Sequence, residues 1–181
     1  MPKLLNQPLA LSVASAASSA LTYCYMAGMR ASDRTQAILL HPEGLSQFPV
    51  AGAAIFETPT RQQLVERWTV LFPEQYLPAH TYPSRCETLE VVAGSLTITI
   101  GNERRIMNQG ETLDIPNDAV RSFSTDTKGC ILRSRCSTVK AKTILWAGGL
   151  SPYTRAISRF NATDGNFFPL LQCMIPMQQC V

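Results

Sequence analysis

The chain has 181 residues and a formal net charge of +3 at pH 7, and 45% of its residues are hydrophobic. This length and hydrophobic content predict one core domain, with additional chain at both ends. Its lysines and arginines are scattered and do not alternate with aromatic residues, which excludes a nucleic-acid-binding protein. Its cysteines include no C-x-x-C pair, which argues against a thiolate zinc site.

The first 30 residues form an apolar N-terminal segment, in which residues 4–29 carry no charge. That length is sufficient for a helix to span a bilayer. The segment is rich in alanine and serine, however, and these side chains favour membrane insertion much less than leucine or phenylalanine do. A membrane anchor and a secretory signal are two open hypotheses, and the location of the protein (membrane, secretory pathway or cytoplasm) stays open with them.

A third hypothesis is that the N-terminal segment packs on the rest of the fold through its larger apolar side chains. These are Leu9, Leu11, Val13 and Leu21. All the motifs described below lie further along the chain. A chain that starts near Ser32 is therefore expected to fold and to remain soluble, unless this third hypothesis holds.

The next part of the chain contains the first predicted strands. Residues 30–62 show no strong periodicity, and within them Ala51–Phe56 is predicted to form a short edge strand. Trp68–Phe72 is rich in β-forming residues and ends at a proline, which predicts a strand. Leu77–Ala79 is predicted to be extended, because a proline disfavours helix in the residue before it.

Short strands with turn residues between them fill the rest of the chain up to residue 140. Leu96–Ile100 alternates apolar residues with threonines and is predicted to follow Thr88–Val92 after a turn at Ala93–Ser95. The further strands are Arg104–Met107, Glu111–Ile115, Ala119–Ser124 and Cys130–Ser134. This pattern predicts an all-β sandwich or barrel. Residues 141–181 are predicted to be a partly helical tail, anchored by its apolar stretch Phe167–Leu171.

Two stretches, residues 80–94 and 110–121, carry a spaced set of polar, glycine and proline residues. Its members are His80, Tyr82, Glu87, Gly94, Gly110, Pro116 and Arg121. In their spacing these residues resemble the two motifs of the cupins. The resemblance implies a double-stranded β-helix, a jelly-roll barrel, over residues 50–140. It also implies that the side chains at the metal-ligand positions, His80, Tyr82, Glu87 and Arg121, point into the barrel.

A metal site is one hypothesis for these four side chains. His80 and Glu87 would hold iron, manganese or zinc, because imidazole and carboxylate suit such ions. Arg121 stays protonated and has no lone pair, so it cannot bind a metal and would instead form an ion pair with Glu87. If the four positions converge, replacing Tyr82 and Arg121 by histidine would complete a three-histidine, one-glutamate set. The cofactor, a divalent metal or none, therefore stays open.

Without a metal, the same four side chains form a candidate catalytic set. Glu87 would act as a general base, Tyr82 as a proton donor, and Arg121 as the group that holds a substrate oxygen. His80 is the member that titrates near neutral pH without special help. The alternative is a pocket in which these residues only satisfy one another.

A second resemblance concerns residues 66–125 and the tail. Trp68–Pro73, His80, Glu87–Gly94 and Asn166–Leu171 are similar to segments of small cupin-domain oxidoreductases of fungal polyketide pathways. This implies a tailoring enzyme that acts on an aromatic or polyketide-like metabolite. A metal-free cyclase or isomerase and a non-catalytic small-molecule-binding cupin are the alternatives. A homodimer is also expected, because pairing would cover an exposed sheet edge.

Overall fold

The computed structural model describes residues 13–32, 35–42, 53–60, 64–82, 86–137, 145–146 and 153–159. Within them lie one helix, α1 (Val13–Met26), and eleven strands. The strands are β1 (Gln36–Pro42), β2 (Ala53–Pro59), β3 (Leu64–Leu71), β4 (Tyr76–Thr81), β5 (Glu87–Ile100), β6 (Glu103–Asn108), β7 (Thr112–Ile115), β8 (Arg121–Ser124), β9 (Cys130–Ser137), β10 (Leu145–Trp146) and β11 (Tyr153–Arg159). The all-β prediction is confirmed.

β5 lies at the centre of a curled antiparallel sheet. The strands follow the order β10-β4-β8-β5-β9-β3-β2-β1-β11, and β6 and β7 also pair with β5. The first half of β5 pairs with β7 and β9, whereas its second half pairs with β6 and β8. One long strand therefore runs through both halves of the fold. This is the cupin double-stranded β-helix that the motifs predict.

The turn predicted at Ala93–Ser95 is wrong, because these residues lie within the continuous strand β5. The pairing with β9 shifts register between Val91 and Ala93, and such a bulge bends a strand. Gly94 has a φ of 80°, and a Cβ atom on it would lie 2.1 Å from the carbonyl oxygen of Gly129. The glycine is therefore required by a close approach of two backbones within a strand.

Alternate residues of the strands face two separate cores. The outer core includes Ala54, Phe56, Trp68, Val70 and Phe72 of the β2–β3 region, together with Ala20 and Cys24 of α1. The inner core contains the side chains on the opposite faces of the same strands and of the strands across the curl. Its members include Ala53, Ile55, Leu71, Leu89, Val91, Ile98, Phe123 and Leu132. The inner core therefore fills the barrel, and α1 covers the outside.

Helix α1 packs on the sheet, as the third hypothesis for the N-terminal segment states. Ala20 and Cys24 are fully buried, and Leu21 packs against the outer core while partly exposed. Leu9, Leu11 and the side chain of Val13 lie outside what the structure describes. In the described part of the chain, no helix has both the length and the apolar character needed to cross a membrane.

Three strands differ from the sequence prediction. β2 pairs with β1 on one side and with β3 on the other, so the edge strand predicted at Ala51–Phe56 is wrong. β1 contains the continuous apolar run Ile38–Leu40, which does not show the alternation of a half-buried strand. β11 is a strand paired with β1, although a partly helical tail is predicted there. The sheet therefore includes strands on both sides of residues 50–140, and Phe167–Leu171 lies outside the described residues.

Candidate functional site

The four side chains predicted from the motifs are brought together inside the barrel, and all four are buried. His80 in β4 lies directly opposite Arg121 in β8. A register shift between Leu77 and His80 accompanies this pairing. The rings of His80 and Tyr82 meet edge to face, with their centroids 5.5 Å apart. Glu87 is the first residue of β5 and shares its inward face with Leu89 and Val91 of the inner core.

Glu87 and Arg121 form the ion pair that was expected from the chemistry of arginine. Nη2 of Arg121 donates to Oε2 of Glu87 at 2.5 Å, and the two side chains are 0% and 4% exposed. Nη1 of Arg121 also donates to the carbonyl oxygen of Ala119 at 3.2 Å. The hydroxyl of Ser134 hydrogen-bonds to Glu87 from the neighbouring strand. The carboxylate is thus held by a guanidinium and a hydroxyl group.

A second buried ion pair joins this cluster, and it is absent from the site that the sequence predicts. Arg67 in β3 lies opposite Glu57 in β2, and its Nε donates to Oε1 of Glu57 at 2.9 Å. The Arg67 guanidinium carbon lies 4.3 Å from the ring centroid of Tyr82, and that of Arg121 lies 4.7 Å from it. Tyr82 therefore contacts two cations, as an aromatic ring favours.

The sequence does contain a signal for this second pair. In β3 the side chains of Arg67 and Leu71 share one face, because residues four apart in a strand point the same way. In β2, Glu57 likewise shares a face with Ile55. A charged residue on the face that carries the core marks either a site or a buried ion pair. Here each charge lies opposite the other across adjacent strands.

The surroundings of His80 and Tyr82 shift the pKa values of both side chains further from pH 7. Burial is the main reason why the pKa of His80 is lowered to about 4. A hydrogen bond with the carbonyl of Pro78 opposes this shift, and the positive charge of Arg121 adds to it. That carbonyl accepts from Nδ1 of His80 at 2.7 Å. Burial also raises the pKa of Tyr82 above its usual range, although Arg67 and Arg121 oppose the shift. At pH 7 the imidazole is therefore neutral and the phenol is protonated.

The two ion pairs fix the remaining charges. Burial alone would raise the pKa of Glu87, but the positive charges of Arg67 and Arg121 and the hydrogen bond from Ser134 outweigh it and lower the pKa. Burial would lower the pKa of Arg67, but Tyr82 and the carboxylates of Glu57 and Glu87 raise it. The cluster thus holds two guanidinium ions and two carboxylates, and its net charge is balanced.

The low pKa of His80 predicts a loss of stability in mild acid. The unfolded chain takes up a proton near the ordinary value of 6.5, whereas the folded imidazole does so only near pH 4. The contribution of His80 to the free energy of unfolding is therefore fully present above pH 6.5. It falls as the pH drops toward 4, by about 1.4 kcal/mol per pH unit. Denaturant unfolding between pH 4 and 7 should show a shallower fall for His80→Gln than for the parent.

The matched control is His41→Gln, which removes the other histidine of the chain. The part of the acid sensitivity that belongs to His80 is the difference between His80→Gln and this variant. Carboxylates remote from both histidines contribute equally in all three proteins, so comparing the variants removes their contribution. Equal acid sensitivity of the parent and His80→Gln would contradict the prediction.

The buried donors do not fit a metal ion. Among the described residues, no group of three or more histidine, cysteine, aspartate or glutamate side chains is arranged to hold one. Glu87 is already bound to Arg121, and Arg67 adds a second positive charge nearby. A cation placed between His80 and Glu87 would be repelled by both guanidinium groups. The hypothesis that His80 and Glu87 hold iron, manganese or zinc is therefore not supported by the chemistry of their surroundings.

An open surface cavity of about 570 Å³ borders the cluster at Glu87. Five of its lining residues have apolar or weakly polar side chains, and the others are polar or charged. The lining residues are Leu64, Cys86, Glu87, Thr88, Asp114, Ile115, Pro116, Arg135 and Cys136. Its volume is in the range of small-molecule sites, which are mostly apolar with a few polar groups. Glu87 is the one member of the buried cluster that also faces this cavity.

No protein-family model and no curated protein sequence matches this chain. Among solved structures, a double-stranded β-helix protein from Klebsiella pneumoniae is 17% identical, with a TM-score of 0.45 over 51% of this chain and 77% of that one. An RmlC-like cupin from Shewanella frigidimarina is 14% identical, with a TM-score of 0.44 over 49% and 78%.

The cupin domain of Cnp3 from Schizosaccharomyces pombe is 9% identical, with a TM-score of 0.42. That likeness covers 47% of this chain and 65% of the domain, which is slightly less than two thirds of its length. Likenesses this distant carry no argument about function. The fold class rests on the strand order around β5 and on the convergence of the motif residues inside the curl.

Proposed function

We propose that this chain is a small-molecule-binding cupin, whose ligand occupies the cavity beside Glu87. The observation that carries the proposal is the position of that cavity, which borders a buried cluster with balanced charge. The cavity is lined by Leu64, Ile115 and Pro116 and also by Asp114 and Arg135. Such a lining suits an aromatic or polyketide-like molecule with polar substituents.

Binding is better supported than catalysis because of the protonation states in the cluster. A general acid or base works best with a pKa near the working pH. The pKa of His80 lies near 4, that of Glu87 is lowered, and that of Tyr82 is raised. None of these three groups is poised to exchange a proton at neutral pH. The metal-free cyclase or isomerase is therefore a weaker hypothesis.

The tailoring oxidoreductase is also a weaker hypothesis. In a metal-dependent cupin, the ligand positions must supply several lone pairs to one ion. Here Arg121 supplies none, and the carboxylate of Glu87 is engaged by that same arginine. The buried cluster instead supports a structural role for the polar residues, with the ligand bound next to them.

Blocking the cavity should remove ligand binding without disturbing the fold. Leu64 lines the cavity and is 37% exposed, so Leu64→Trp adds bulk at the cavity without entering the core. A library of aromatic and polyketide-like compounds is screened against the parent, and the affinity of the best ligand is measured by calorimetry. We expect Leu64→Trp to weaken that affinity at least about tenfold, or 1.4 kcal/mol.

The matched control is Ile106→Trp, because Ile106 is 63% exposed and lies on β6, away from the cavity. Its affinity should equal that of the parent. If both tryptophan variants bind like the parent, the ligand binds elsewhere and the proposal fails. Proton NMR of the compound recovered after incubation should show it unchanged, whereas an isomer would favour the cyclase or isomerase.

A further inference from the structure

The four motif side chains lie in one buried cluster, linked to one another by pairwise contacts. His80 lies opposite Arg121 across two strands, and the Arg121 guanidinium contacts both Glu87 and the ring of Tyr82. Two of the four positions, His80 and Glu87, carry side chains that commonly bind metal ions. The other two carry a phenol and a guanidinium.

Arg121 is not the only cation at this place. Arg67 also contacts Tyr82, with its guanidinium carbon 4.3 Å from the ring centroid. Its charge also acts on Glu87 and helps to lower the pKa of that carboxyl group. A divalent ion bound between His80 and Glu87 would thus face two buried positive charges, and in a poorly polarisable interior such repulsion is large.

We infer that Arg67 and Arg121 are resident cations that take the place of a metal ion in this barrel, and that Arg67 by itself strongly weakens metal binding. The two carboxylates of Glu57 and Glu87 need positive partners, because buried charges are stable only when they are paired. In this protein the partners are guanidinium groups supplied by the chain.

This inference changes what is expected when the missing histidines are restored. The double variant Tyr82→His/Arg121→His completes three imidazoles and one carboxylate, yet it leaves Arg67 beside them. We expect it to bind metal weakly. Removing Arg67 alone would take the ion-pair partner from Glu57, whose side chain is 13% exposed. The pair is therefore removed together, as Glu57→Gln/Arg67→Met.

The experiment titrates Co²⁺ into four proteins and follows its visible absorption and the heat of binding. The proteins are the parent, the double histidine variant, the pair-removed variant Glu57→Gln/Arg67→Met, and the quadruple variant that combines all four changes. The quadruple variant should bind Co²⁺ on the order of a hundredfold more tightly than the double histidine variant. The parent and the pair-removed variant should show no ligand-field band.

Two results would overturn the inference in folded proteins. Equal Co²⁺ affinity of the double and quadruple variants would show that Arg67 does not exclude the metal. A folded quadruple variant that binds no more tightly than the parent would show that the positions do not form one shell. Thermal unfolding of each variant without metal establishes that it is folded.

A measurement on the parent keeps the inference testable if the quadruple variant does not fold. Co²⁺ and Zn²⁺ at millimolar concentration should neither produce an absorption band nor raise the unfolding temperature of the parent. A rise that His80→Gln abolishes would mean that the parent binds metal through His80, and the inference would then be wrong. None of these measurements uses the small-molecule ligand, so their outcome is independent of the proposed binding function.

Discussion

A chain that starts at Ser32 is expected to aggregate, or to lose its cooperative unfolding transition, because removing α1 exposes the outer core. The opposite expectation, that such a chain folds and stays soluble, follows from the sequence when the motifs alone define the fold. The structure shows the helix side chains Ala20 and Cys24 packed in one core with Phe56 and Trp68. The helix is therefore a part of the fold.

The expected effect is large compared with the stability of a typical domain. Burying one large apolar side chain contributes about 1.5–3 kcal/mol. Phe56, Trp68, Val70 and Phe72 are each no more than 1% exposed, and all belong to the core that α1 completes. Losing part of that burial amounts to several kcal/mol, whereas a whole domain is stable by only about 5–15 kcal/mol. Size-exclusion chromatography and thermal unfolding measure the result.

Two point variants test whether the packing of α1 against the sheet, and not only the presence of the helix, stabilises the fold. Ala20→Asp places a charge at a fully buried position of α1, whereas Thr22→Asp places the same charge at an exposed position two residues away. Ala20→Asp should lower the unfolding temperature strongly, and Thr22→Asp should change it little. If the truncated chain is monomeric and unfolds at the temperature of the parent, α1 does not stabilise the sheet.

The local pattern of the sequence was sufficient to predict the class of the fold. Alternation in Leu96–Ile100 and the evenly spaced turn residues indicate strands whichever partners they have. The pairing of distant segments was not predictable in the same way. β1 and β11 are separated by more than a hundred residues, and β11 pairs with the edge of β1 that β2 leaves open. Gly94 has the local features of a turn, and only its contact with Gly129 reveals why a glycine stands there.

The motif residues of the site were predictable from the sequence, whereas the ion pair between β2 and β3 was not. His80, Tyr82, Glu87 and Arg121 have a motif spacing that indicates convergence, and the structure places them together. Their catalytic roles stay a prediction. The partners from β2 and β3 belong to no motif, because their role arises from a cross-strand pairing. The protonation states depend on that second pair as well, since Arg67 contributes to the low pKa of Glu87.

Arg121→Met is expected to destabilise the protein by about 3–5 kcal/mol at pH 7, since it leaves a carboxylate buried without its closest cation. The Glu87 side chain is 4% exposed, so little water reaches the carboxylate to replace the guanidinium. In the parent, the lowered pKa of Glu87 gives stability that is present above the unfolded pKa, near 4.5, and is lost as the pH falls through the folded pKa. In Arg121→Met the pKa of Glu87 should rise instead. The variant should therefore regain stability relative to the parent as the pH falls from 7 to 5.

Arg133→Met is the matched control, because Arg133 and Glu90 form an ion pair of the same 2.5 Å length whose side chains are 30% and 31% exposed. Breaking that partly exposed pair should cost less than about 1 kcal/mol, because water reaches both charges. The double change Glu87→Gln/Arg121→Met should recover much of the loss, since it removes the buried charge together with its partner. Denaturant unfolding at pH 7 and pH 5 measures all four proteins. Equal losses for Arg121→Met and Arg133→Met at pH 7 would mean that burial does not govern the strength of these pairs, and the account of the barrel interior as a charge-balanced cluster would then fail.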